Sequence, residues 1–265
     1  MSARPSNTFV APPHSVSVQG AYEPFALQVA RNQIAGHSAV TVFGYNGDLD
    51  QTEESIWPNG GTVPHPTTAS VLDIVSTSTD DDGSPVGTGA RTVYIEGLNG
   101  SYNVVSETVT LNGTTNVPTI NSYLYVNQFY VATVGSGGVN AGEITAKVST
   151  TLYDLIAVGY NQRTTAHYCV PAGYTAYLTE AVLTAGQTSG STSVTAFLKH
   201  HGPDGILRVD AISTLNNGAI SYDFAYPVEI PEKNCFGATA VGSANNNSVS
   251  AFFNFVLIKN DLQTS

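Results

Sequence analysis

Charge is what this sequence has least of. Asp, Glu, Lys and Arg make up 11% of its 265 residues, against about 25% in an ordinary soluble domain. Basic residues are the scarcest: 9 Lys and Arg face 20 Asp and Glu, for a formal net charge of −11. Phosphate neutralisation supplies most nucleic-acid affinity, so a nucleic-acid partner is not expected. Long apolar runs are missing too. The most apolar stretch, Ala251 to Ile258, is interrupted by Asn254 and reads as a buried strand. Nothing approaches the roughly 20 apolar residues of a spanning helix, and no membrane partner is expected. A basic start followed by an apolar run is absent at the N-terminus, so no signal peptide is expected and synthesis belongs in a cytoplasm. Cysteine occurs twice, at Cys169 and Cys235. Without an export signal, two reduced and buried thiols are the favoured reading, with a disulfide as the alternative.

Motifs of catalysis are equally scarce. There is no His-x-x-x-His, no Cys-x-x-Cys, no Gly-x-Ser-x-Gly elbow, no phosphate loop and no dinucleotide fingerprint. No enzyme activity, cofactor or metal is expected on these grounds. The six histidines are His14, His37, His65, His167, His200 and His201. His200 and His201 point to opposite faces if they lie on a strand, and so do not chelate one ion. His167 and Cys169 share a strand face, and a Cys-His nucleophile pair is the sharper of two readings there. A semi-buried thiol beside an imidazole is the plainer one. Asp80-Asp81-Asp82 before Gly83 offers carboxylates to a cation, yet it lacks the further acidic ligand of a calcium loop and reads as a solvated turn. Glu53 and Glu54 near Trp57 suggest glycosidase carboxylates, although adjacent side chains rarely flank one sugar bond.

What the sequence does have is β signal. Short runs of β-branched and aromatic residues recur, among them Thr92 to Glu96, Glu107 to Leu111, Tyr130 to Val134, Thr175 to Thr179 and Val194 to Leu198. Several alternate polar and apolar residues with period two, the pattern of a strand with one buried face. Turn signals divide them. Asn99-Gly100, Asn112-Gly113 and Asn217-Gly218 suit type I′ turns, in which both central residues take positive φ. The Asn-x-Ser/Thr triplets at Asn99, Asn112 and Asn246 read as turn chemistry. The expected class is all-β, β-sandwich or jelly-roll-like. Residues 1–54 are expected as an irregular N-terminal arm, 55–150 as a first β-sandwich unit and 151–265 as a second. The 14 tyrosines suit protein contact surfaces as well as a core.

Several strings carry a resemblance. They are Phe25 to Arg31, Gly36-His37-Ser38, Phe43 to Asn46, Ile56-Trp57-Pro58, Gly87 to Val93, Glu107 to Thr114, and Val170-Pro171-Ala172-Gly173. Together they resemble a group of virion structural proteins of tailed bacteriophages. The resemblance implies a virion component, made in the host bacterial cytoplasm, and transfers no catalytic residues. Two placements fit it. One is a capsid decoration or cement protein on the exterior of the head, bridging major capsid protein subunits as a homo-oligomer, with a trimer as the expected state. The other is a tail adaptor, fibre or receptor-binding component. A carbohydrate-active β-sandwich is a third reading from a different class. For the first, the expected apolar contact residues are Phe25, Leu27, Val29, Phe43, Tyr45 and Trp57.

Overall fold

The computed structural model describes residues 23–186 and 192–262. The first part of the expected arm, residues 1–22, lies outside them, as does His14. The described chain is all-β apart from α1 (Phe25–Ala30) and a closing 3₁₀ turn. No helix among the described residues is long and apolar enough to cross a membrane.

The strands divide between two cores. Around the larger one, an antiparallel sheet runs in the order β1 (His37–Leu49), β16 (Asn247–Lys259), β11 (Tyr174–Gly186), β14 (Gly218–Ile230). A second runs β10 (His167–Cys169), β15 (Cys235–Gly242), β12 (Val194–His201), β13 (Leu207–Leu215), with β2 (Glu54–Ser55) also paired to β15. The period-two pattern does the sorting. In β16, Val249, Ala251, Phe253, Phe255 and Leu257 are buried while the residues between them are only half-buried. Phe253 and Phe255 meet Phe236 of β15 edge-to-face, with centroids 5.1 and 5.5 Å apart, and this aromatic contact ties the two sheets together. Around the smaller core, β6 (Val117–Tyr123), β3 (Ser70–Ser76), β8 (Ile144–Val148) and β9 (Thr151–Ile156) form one sheet. A further sheet is β5 (Val104–Thr110), β4 (Ala90–Leu98), β7 (Tyr125–Val134). Leu72, Ile74, Ile95, Phe129 and Ile144 fill the space between these sheets.

The strand pairings group the chain differently from the expected boundaries. The described end of the arm is not irregular, because β1 is hydrogen-bonded along β16 from His37↔Ile258 to Leu49↔Asn247. Residues 37–55 therefore belong with the C-terminal strands, and the smaller unit runs from Ser70 to Ile156. Strand alternation is present in β1 all the same: Val42, Gly44 and Asn46 are buried between exposed neighbours. Gly44 serves a close approach, since a Cβ there would lie 2.3 Å from the Ala166 nitrogen and 2.4 Å from the Ile56 oxygen. The turn expectation also needs correcting. Only Asn217-Gly218 puts both residues at positive φ, 63° and 152°. At Asn99-Gly100 the side chain makes the turn instead: Asn99 Oδ1 accepts from the Ser101 and Asn103 N–H groups, at 2.9 and 3.1 Å.

Where the two units meet, Leu98, Leu124 and Tyr125 of the smaller pack on Cys169 and Cys235 of the larger. These cysteines are a disulfide, and the expectation of two thiols is corrected. The cause is register: β10 and β15 set Cys169 directly opposite Cys235, with Cα atoms 3.9 Å apart. Sequence separation alone, 66 residues, hid the pairing. Arg163 spans the same junction. Its guanidinium donates to the Asn127 carbonyl of β7 at 2.6 Å and to the His167 carbonyl of β10 at 3.2 Å. Its Nε pairs with the fully buried Asp154 carboxylate of β9. Asp154 Oδ1 accepts from the Thr165 hydroxyl at 2.7 Å and the Leu155 N–H at 2.9 Å. Burial pushes this carboxyl above the ordinary carboxylate range, against the pull of Arg163 and of those two donors.

Candidate functional site

The six expected contact residues separate. Phe25 and Leu27 on α1 are exposed, as are Phe43 and Tyr45 on β1. They stand on two neighbouring elements, α1 and β1, which touch. Val29 and Trp57 are buried, each only 1% accessible. Val29 is the inward residue of α1. Trp57 turns inward after β2, where its indole N–H donates to the Gly60 carbonyl at 2.7 Å. Their apolar area is already committed to the fold, unlike that of the other four.

The larger exposed apolar surface is elsewhere. β13 and β14 are edge strands, each with a single strand neighbour among the described residues. A register shift between Leu198 and Lys199 sets Phe197↔Ile212, Lys199↔Val209 and His201↔Leu207 opposite one another. Directly paired residues share a face, so Leu207, Val209 and Ile212 lie on one side of this sheet, all more than half exposed. Tyr226 on β14 is 90% exposed. Sequence reading passed over this surface because an alternating strand looks alike whether its apolar face meets a core or solvent.

The same face of the β10–β13 sheet ends in a cavity of about 310 Å³ lined by His65, His167, His201, Glu53, Lys199 and Thr239 among others. His167 comes from β10, His201 is the last residue of β12, and His65 lies on the connection between β2 and β3. One ring nitrogen from each falls within 4.8 Å of the other two. The His65 and His201 ring centroids are 4.1 Å apart, and those of His65 and His167 are 5.6 Å apart. His201 Nδ1 sits 3.3 Å from the Gly202 carbonyl. Its Nε2 is buried with no hydrogen-bond partner among the described residues, a state that costs about 1–3 kcal/mol if nothing fills it. Burial depresses all three imidazoles. His65, exposed at its outer edge, falls to about 4 through desolvation and then the proximity of His201. His167 falls well below the ordinary value through burial, then through His65, His201 and Arg163. His201 also falls, chiefly by burial, with Gly202 and Asp204 opposing. The three are therefore neutral at pH 7. Sequence spacing gave no sign of this grouping, because the partners come from a loop and two strands far apart in the chain.

His200 points the other way, with Nδ1 2.7 Å from Asp210, as strand alternation requires. The remaining sequence candidates are structural. Cys169 is in the disulfide and has no thiol to pair with His167. Glu53 binds Lys199 and the Thr239 hydroxyl, whereas Glu54 accepts from the Asn46 amide at 2.8 Å. The two carboxylates thus serve separate partners, and Trp57 is buried. Asp81, expected in a solvated turn, is fully buried. Its oxygens accept from the Ala90, Ala141 and Gly142 N–H groups and the Ser76 hydroxyl, at 2.7, 2.8, 2.8 and 2.6 Å. Four donors occupy the lone pairs that a cation would need.

No protein-family profile and no curated protein matches the chain. Among solved structures, the infectious bursal disease virus Gt strain is similar at 13% identity and a TM-score of 0.22, over 89% of this chain and 78% of that one. The VP2 subviral particle of the same virus is similar at 10% identity and a TM-score of 0.22, over 84% and 72%. Scores of this size do not establish a common fold.

Proposed function

We propose that this chain is a structural protein of a virion, a decoration or cement protein that seats on the exterior of a phage head. In this reading its body is a pair of jelly-roll-like sandwiches, and it works as a homo-oligomer, a trimer, that bridges major capsid subunits. The observation that carries the reading is the β13–β14 edge. Two strand edges with no further strand partner among the described residues, beside Leu207, Val209, Ile212 and Tyr226, form a surface that a lone soluble domain normally blunts. An added strand or a second copy would satisfy both the backbone groups and the apolar side chains. The sequence strings that resemble phage virion proteins support the same reading. So does the low charge, since interface centres are depleted of charged residues. A stable contact of this kind buries about 1,600 Å² in all.

Copy number per purified virion, measured by quantitative mass spectrometry against the major capsid protein, tests the proposal. A ratio near one to one or one to three is the expected result. A few copies up to a few dozen would move the protein to the tail as an adaptor, fibre or receptor-binding component. Absence from the particle would overturn the virion reading altogether.

A further inference from the structure

We propose that His65, His167 and His201 form a binding site for a divalent first-row transition ion of the Zn²⁺ class, which fastens the connection between the two β units to the face of the larger one. The inference stands apart from the virion reading and rests on the cavity itself. Three imidazole nitrogens already converge within 4.8 Å. Zn–N bonds of about 2.0–2.1 Å with tetrahedral angles require ligand nitrogens about 3.3 Å apart, so each pair has to draw together by at most about 1.5 Å. His201 is set up as a ligand: Nδ1 faces the Gly202 carbonyl, which fixes the N–H there and leaves the buried Nε2 lone pair without a partner. Metal-bound histidines are oriented by this kind of contact.

The surroundings decide the class of ion. The converging donors are nitrogens, with no carboxylate among them. Imidazole donors suit Zn²⁺, Cu²⁺ or Ni²⁺, and Ca²⁺ or Mg²⁺ demands oxygen. Cys169 and Cys235 also lie near His167, but as a disulfide they offer no thiolate. Room is kept by Gly237, which pairs with His167 across the strands. A Cβ at that position would lie 3.3 Å from the His167 ring. Depressed basicity from burial keeps the rings in the neutral form that binds metal. Three protein ligands leave a fourth coordination position, which opens to the cavity and takes water. His65 sits on the connection between β2 and β3, so the ion would join that segment to β10 and β12.

The test uses untagged full-length oxidised protein, stripped with a chelator and titrated with ZnCl₂ by calorimetry and with CoCl₂ by absorption. One ion per chain is expected. Bound Co²⁺ should give visible d–d bands and no near-ultraviolet sulfur charge-transfer band. Zn²⁺ should raise the melting temperature of the wild type. His65→Ala, at a partly exposed ring on a loop, and His201→Gln should each weaken binding at least ~10-fold, with circular dichroism unchanged in the chelated state. Absence of saturable binding overturns the proposal, as does binding indifferent to both substitutions. A sulfur charge-transfer band overturns the three-histidine set in favour of cysteine ligation.

Discussion

Replacing Asp154 by Asn would remove a charge from the junction of the two units while keeping its shape. Asp154 and Arg163 are both buried, with side chains 1% and 10% accessible. The carboxylate is the one anion paired with that guanidinium among the described residues. Burial raises this carboxyl, and Arg163, the Thr165 hydroxyl and the Leu155 N–H oppose the rise by favouring its ionised form. Asp154→Asn then leaves a buried cation without its counter-charge, which costs about 3–5 kcal/mol. For a chain of 265 residues this corresponds to a melting temperature lower by ~5–9 °C. Urea unfolding and calorimetry at pH 7 read the loss directly. A double variant, Asp154→Leu with Arg163→Leu, should lose less than the single Asn variant, because no unpaired charge remains. An Asn variant within about 1 kcal/mol of wild type would refute the reasoning, and would mean that the carboxyl is already protonated in the folded protein.

Further outcomes follow from other contacts. Asp81→Asn turns one acceptor oxygen into a donor facing N–H groups and should cost about 3 kcal/mol; unchanged denaturation curves would contradict the four-donor account. Reducing the Cys169–Cys235 bond, which closes a 66-residue separation, should lower stability by ~4 kcal/mol, read by urea titration with and without a phosphine. In metal-free protein the unfolded chain takes up protons on His65, His167 and His201 below about pH 6.5, while the folded rings resist; His65 holds out to about 4. Stability should therefore fall as pH drops through that window, by at most ~1.4 kcal/mol per pH unit for each ring and less for partly exposed His65. The slope should be shallower in His201→Gln, and equal slopes would rule the explanation out. Ile212→Asp and Tyr226→Ala should leave folding within ~0.5 kcal/mol yet weaken self-association or particle attachment, measured by light scattering and co-sedimentation with heads.

The strands were legible because their signal is local. β16 was visible as a strand from its apolar run, although the half-buried Phe252, Val256 and Ile258 are as apolar as the buried residues between them, and the Asn217-Gly218 turn was visible as a dipeptide. Membership of a sheet was not legible. β1 and β16 lie at opposite ends of the chain, and nothing in His37 to Leu49 names Asn247 to Lys259 as its partner. The disulfide and the histidine cavity follow from that same hidden register, since Cys169 meets Cys235 and Gly237 meets His167 only once β10 is laid beside β15. Asp81 was misread for a related reason. Three adjacent aspartates look solvated until the backbone amides of residues 90, 141 and 142 arrive from elsewhere to bind the middle one.

The bond between Cys169 and Cys235 also makes the seam between the halves redox-dependent. Where thiols stay reduced, that seam is held by packing alone, through Leu98, Leu124 and Tyr125. Where the bond forms, both cysteines are shut away from solvent. The two states differ in mass by two hydrogens, so the oxidised fraction of a population reports the surroundings its molecules have met.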